Sequence, residues 1–171
     1  TMHRKSLVHQ TLFLLFIILS TNIAAQNPVP KAPDLDGKAW ILIDANTGFV
    51  IADNNADEPL PPASLAKMMT TYIAVKQIKQ GTLRDYDEVL VSDNAWEKGG
   101  AKTDGSTMFL SPRTTVPVID LMRGIIIQSG NDAAIALAEH ISGSEDAFSN
   151  LMNDNAADLS MDNTFYYNST G

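Results

Sequence analysis

Three prolines within four positions, Pro59, Pro61 and Pro62, divide the sequence into parts that no single helix or strand can join. Proline has no backbone N–H to give to a helix or a sheet ladder, and its ring fixes φ. Before this break, the apolar runs Trp40-Ile41-Leu42-Ile43 and Phe49-Val50-Ile51-Ala52 flank the segment Asp44-Ala45-Asn46-Thr47-Gly48. Two β-rich runs around an Asn/Gly turn predict a hairpin. Their unbroken apolarity predicts strands covered on both faces, with helices packed on the sheet.

After the break the period becomes helical. Leu65, Met68, Met69, Tyr72 and Ile73 follow the i, i+3, i+4, i+7, i+8 spacing, which predicts a helix starting near Ser64 with that stripe buried. Gly81 can end it, with Lys76 and Lys79 in the last turns, where the helix dipole favours cations. Asp93 to Gly105 is polar and reads as a surface excursion. Pro117 suits the first turn of a helix running to about Gln128. Asp132 can cap a following helix, Ala133 to Ile141, that Gly143 ends. Ser144 can cap one more, with Glu145 and Asp146 in its first turn. Strands followed by several helices imply an α/β (α+β) domain with helices on an antiparallel sheet.

The ends of the chain carry their own expectations. His3, Arg4 and Lys5, then Leu12 to Leu19, then Ser20-Thr21-Asn22-Ile23-Ala24-Ala25, predict a secretory signal peptide over 1–25. Its eight unbroken apolar residues fall short of the ~20 that span a bilayer. Residues 26–38, with three prolines, predict an extended linker, and 39–171 the domain itself. The turn-like Asn168-Ser169-Thr170-Gly171 directly follows Thr164-Phe165-Tyr166-Tyr167, so the chain reads as the N-terminal part of a longer domain. A net charge of -8 argues against a nucleic-acid partner, which needs a basic surface. His3, His9 and His140 are too scattered to suggest a metal site, and no organic cofactor is implied.

Two short motifs carry candidate chemistry. In Ser64-Leu65-Ala66-Lys67, residues i and i+3 share a helix face, so the Ser64 hydroxyl and the Lys67 amine can meet. A serine hydroxyl is a weak nucleophile until a base takes its proton, and a lysine serves only when burial or other cations keep its amine neutral. Standing alone, the motif is also what a helix cap and a solvated lysine look like. Ser129-Gly130-Asn131 interrupts the helical periodicity and forms a loop from which side chains can reach a cleft. Its serine could pass a proton to a leaving amine and its asparagine could hold a peptide carbonyl. An ordinary helix–helix turn reads the same way.

In this order, however, Ser-x-x-Lys and Ser-x-Asn are the first two elements of the penicillin-binding proteins and β-lactamases. Whole segments extend the match: Trp40 to Asp44, Pro62 to Thr70, Val116-Pro117-Val118, Gln128 to Ala133, Gly143 to Phe148, and Asn163-Thr164. From about Ala39 to Gly171 the chain resembles the low-molecular-mass D-alanyl-D-alanine carboxypeptidases. The resemblance implies a β-lactamase/transpeptidase-like domain, incomplete at its C-terminus. It implies Ser64 as acyl-ester nucleophile, Lys67 as general base, Ser129 in proton transfer and Asn131 in substrate binding. Peptidoglycan stem peptides and β-lactams would be the partners. The location implied is periplasmic, with a full-length protein tethered to the inner membrane by a C-terminal helix.

The chain departs from that family in one element. Lys-Thr-Gly is absent, since every lysine lies at or before Lys102. The 171-residue chain is therefore expected to be inactive by itself. A serine β-lactamase or a D,D-endopeptidase of the same fold remains an alternative, as does a non-catalytic module that binds stem peptides. Against the β-lactamase stands the lack of glutamate from Asp146 to Gly171, where a deacylating loop would need one.

Overall fold

The hairpin forms as its turn chemistry dictates. Strand β1 (Trp40–Ile43) pairs antiparallel with β2 (Val50–Asn54), with a register shift between Leu42 and Ile43. The Asp44 carboxylate accepts hydrogen bonds from the Asn46 and Thr47 N–H groups at 3.1 and 2.8 Å, and Gly48 takes the positive φ of 72°. These bonds build the bend locally, as aspartate turns do. The computed structural model describes residues 30–100 and 102–171. The predicted signal peptide and the start of the linker lie outside them. The chain divides into two compact units between Glu58 and Pro59, at the proline break.

Within the first unit, the expected burial of the hairpin is not found. Ile41, Leu42, Ile43, Phe49 and Ile51 each expose at least half of their surface. These side chains alternate between the two faces of the ribbon. A two-stranded ribbon has no second layer of its own to cover either face.

The second unit is built around helices. A 3₁₀ turn (Ala63–Ala66) leads into α1 (Lys67–Gln80), which Gly81 ends at φ 77°. Strand β3 (Glu88–Leu90) precedes α2 (Asp93–Gly99), capped by the Ser92 hydroxyl, which accepts from the Ala95 N–H at 2.8 Å. Strand β4 (Thr115–Pro117) pairs antiparallel with β3. There follow α3 (Val118–Gln128), α4 (Asn131–Ser142) and α5 (Glu145–Asp158). As expected, Gly143 closes α4 and the Ser144 hydroxyl caps α5, accepting from the Ala147 N–H.

Helix α4 is the axis of the packing. Ala133 to Ala138 are all buried, and α2, α3 and α5 each pack against it. A helix apolar on every side belongs inside a core. Gly99 lets α2 come close to the first turn of α4: a Cβ there would lie 2.3 Å from the Asp132 nitrogen. One apolar cluster joins α4 to α3 and to Val89 and Val91. A second joins Met69 and Ile73 of α1 to Phe148, Met152 and Ala156 of α5.

Three helix details differ from expectation. The predicted stripe on α1 splits, since Met69 and Ile73 are buried while Leu65 is 67% and Met68 71% exposed. The 3₁₀ turn takes Leu65 out of α-helical phase, while Met68 and Tyr72, four residues apart on α1, share the exposed face; the inward face carries Lys67 and Thr70 beside Met69 and Ile73. Pro117 ends β4 and stands just outside α3, with ψ 143°. Asp132 lies inside the first turn of α4, and its carboxylate holds a neighbouring segment besides the Ala133 N–H.

Candidate active site

Ser64 lies in the 3₁₀ turn and Lys67 opens α1, so the three-residue spacing brings both onto one face. The Lys67 amine is 3.2 Å from the Ser64 hydroxyl oxygen and 3.3 Å from that of Ser129. Lys67 is 5% exposed, whereas Ser64 is on the surface and Ser129 is half-buried. The side chain thus runs through the core and presents its amine between the two hydroxyls. Burial pushes the Lys67 amine below its ordinary pKa, because the charged form loses hydration there and its partners are neutral. Other cations, also considered from the sequence, play no part in that shift.

The backbone on both sides of the amine is unusual. Ala63, directly before Ser64, has φ 47°, and Ser129 has φ 58°. Left-handed backbone at a residue other than glycine costs on the order of 1–3 kcal/mol and persists where the surroundings impose it. At Ser129 this conformation ends α3 and turns the hydroxyl toward Lys67. On α1, Thr71 donates to the Lys67 carbonyl at 2.8 Å and lines the same opening. That opening is a cleft of about 540 Å³, lined by Ser64, Lys67 and Ser129 together with Met68, Tyr72 and Ile126.

Asn131, the fourth candidate, is held apart from this trio. Among the described residues its amide makes no hydrogen bond to Ser64, Lys67 or Ser129, and it does not line the cleft. Its N–H donates to the Ser106 carbonyl at 2.8 Å, and its amide nitrogen passes where a Cβ on Gly105 would sit, 2.2 Å away. Asp132 fastens the same segment. Its carboxylate accepts from the Thr107 hydroxyl and from the Met108, Leu110 and Ala133 N–H groups, at 2.8 to 2.9 Å. Sequence reasoning missed this clamp. The available signal was one acidic residue directly before an apolar run that fills a helix on every side.

A family model described as D-alanyl-D-alanine carboxypeptidase matches residues 22–171. The D-alanyl-D-alanine carboxypeptidase DacC of Escherichia coli is 46% identical over 153 residues, covering 89% of this chain and 38% of that protein. Penicillin binding protein 5 from Haemophilus influenzae superposes with a TM-score of 0.77 at 39% identity, over 83% of this chain and 41% of that one. The carboxypeptidase DacD from Francisella tularensis gives 0.74 at 38%, over 89% and 36%. The fold is therefore that of the penicillin-binding proteins, as the sequence motifs implied. The chain spans less than half the length of each of these relatives.

Proposed function

The chain belongs to the family of D-alanyl-D-alanine carboxypeptidases, and from that premise we propose that it carries the nucleophile of a serine-type peptidase acting on peptidoglycan stem peptides. The observation that carries this reading is the single buried amine between two hydroxyls. A neutral Lys67 takes the Ser64 proton as Ser64 Oγ adds to the carbonyl joining the two terminal D-alanines. The peptide C–N bond then breaks and the acyl group stays on Ser64 as an ester. Ser129, within reach of the now protonated Lys67, relays that proton to the departing D-alanine nitrogen. Water, deprotonated by the same amine, hydrolyses the ester and restores Ser64. The family resemblance alone supports Asn131 as the residue that holds the peptide backbone of the substrate, since its amide lies outside the cleft lining, and β-lactams acylate Ser64 because their strained amide stands in for the D-Ala-D-Ala bond.

This work belongs to the cell envelope, outside the inner membrane, where the substrate is. The competing assignment to a β-lactamase is disfavoured by the glutamate-free stretch Asp146 to Gly171. Release of D-alanine from a D-Ala-D-Ala-terminated pentapeptide, measured on the complete product of the gene, tests the proposal. Release should occur with the wild type and be lost with Ser64→Ala; equal release by both would overturn it. The 171-residue chain alone should release little, because Lys-Thr-Gly is absent from it.

A further inference from the structure

The acyl-transfer steps leave unused a buried polar chain that ends on the nucleophile turn. It starts from Glu145, the first residue of α5. One oxygen of the Glu145 carboxylate accepts from the Ser169 hydroxyl at 2.7 Å and from the Ser169 N–H at 3.2 Å. The Ser169 carbonyl in turn accepts from the Thr70 hydroxyl at 2.8 Å. Ser169 and Thr70 are both fully buried. Thr70 lies three residues after Lys67, which places it on the same face of α1.

The turn around Ser169 is held by its own chemistry. The Asn168 side-chain oxygen accepts from the Thr170 N–H and hydroxyl at 3.0 and 3.2 Å and from the Gly171 N–H at 2.6 Å. Gly171, at φ 85°, then meets the backbone of the nucleophile turn. A Cβ there would fall 1.8 Å from the Ala63 carbonyl oxygen and 3.0 Å from the Ala66 Cβ. Only glycine permits both that φ and that approach. The residue it presses on is Ala63, whose left-handed φ precedes Ser64.

We infer that the Asn168–Gly171 turn positions the nucleophile. Ser169, anchored by Glu145, holds the first turn of α1 through Thr70, while Gly171 holds the Ala63 conformation from which Ser64 projects. Ser169, Thr70 and Gly171 are positioning residues, acting through Lys67 and Ser64 without touching substrate. The inference rests on the reading of Ser64 as nucleophile. A strained turn keeps its shape only when its surroundings over-determine it. A displacement of about 1 Å between reacting groups can cost on the order of 100-fold in rate.

The test uses the complete gene product and a fluorescent penicillin, separating the acylation rate constant at saturation from the half-saturating concentration. Thr70→Val removes the hydroxyl with little change of shape. It should lower the saturating rate constant by about 10-fold or more, normalised to the folded fraction, and leave the half-saturating concentration within about twofold. Thr70→Ser should restore the rate. Gly171→Ala should lose about 100-fold; if it does not fold, the Thr70 pair carries the test alone. A purely structural turn predicts a lower melting temperature with an unchanged rate in the folded fraction. That result, or a Thr70→Val rate within twofold of wild type, overturns the inference. No acylation of the wild type at all would remove the underlying reading, and the inference with it.

Discussion

The Ser129 hydroxyl lies 3.3 Å from the Lys67 amine across 62 residues of sequence. Ser64 reaches the same amine from three residues away, at 3.2 Å. One pair is made by a helical turn and the other by tertiary packing of α3 on α1, so the fold converts two weak motifs into one constellation.

Burial lowers the Lys67 pKa, and this has a sign in both rate and stability. Acylation needs the neutral amine, so its rate should rise with pH through a midpoint below the ordinary value of 10.5. Between that midpoint and 10.5 the unfolded chain binds more protons than the folded one, so stability should also rise with pH across the window. It should be lost again as pH falls through the lowered value. Stopped-flow acylation from pH 5 to 10 checks the first statement. Lys67→Arg should give a slow, flat profile, about 100-fold or more below wild type.

Asp132→Asn should destabilise the second unit by roughly 3 kcal/mol. Each carboxylate oxygen accepts two donors, and an amide would turn its NH₂ toward one of those pairs. Chemical denaturation measures the loss, and an unchanged midpoint would contradict the clamp.

Gly105→Ala should act differently, because the group in its way is the free end of the Asn131 side chain. The amide can swing aside, so the melting temperature should move little. If Asn131 holds the substrate backbone, the peptide KM should rise about 10-fold. Steady-state kinetics beside a thermal melt separates the two effects.

The α1 stripe offers a paired comparison. Met68→Gln, at an exposed position, should stay within about 0.5 kcal/mol of wild type. Ile73→Ala, at 1% exposure, should cost about 2–5 kcal/mol. Equal costs would place Met68 inside, where the periodicity put it.

That stripe shows what the sequence could and could not tell. Most helices after the break were legible because their stops and caps are local: Gly81, Gly143 and Ser144 act within a turn of where they stand. Helix α2 was not, because the polar stretch from Asp93 to Gly105 read as a surface excursion although Ala95 and Gly99 are buried. The inward face of α1 was not legible, because the apolar Met68 and Tyr72 line the cleft and a buried lysine reads as a surface residue. Strands β3 and β4, three residues each, are too short to show any period. Ser64 and Lys67 were readable from their spacing, and Ser129 from its place in a second motif. The supports were not: Asp132 meets Thr107, and Thr70 meets Ser169, across 25 and 99 residues. Gly171 gave no sign in the sequence that it presses on the residue before the nucleophile.

The proposed mechanism makes Ser64, activated by Lys67, the acylated residue. Peptide mass spectrometry of the complete gene product after brief exposure to benzylpenicillin tests it most directly. One stoichiometric adduct is expected on the peptide containing Ser64, absent from Ser64→Ala and strongly reduced in Lys67→Arg. An adduct on another residue, or full labelling of Ser64→Ala, would contradict it.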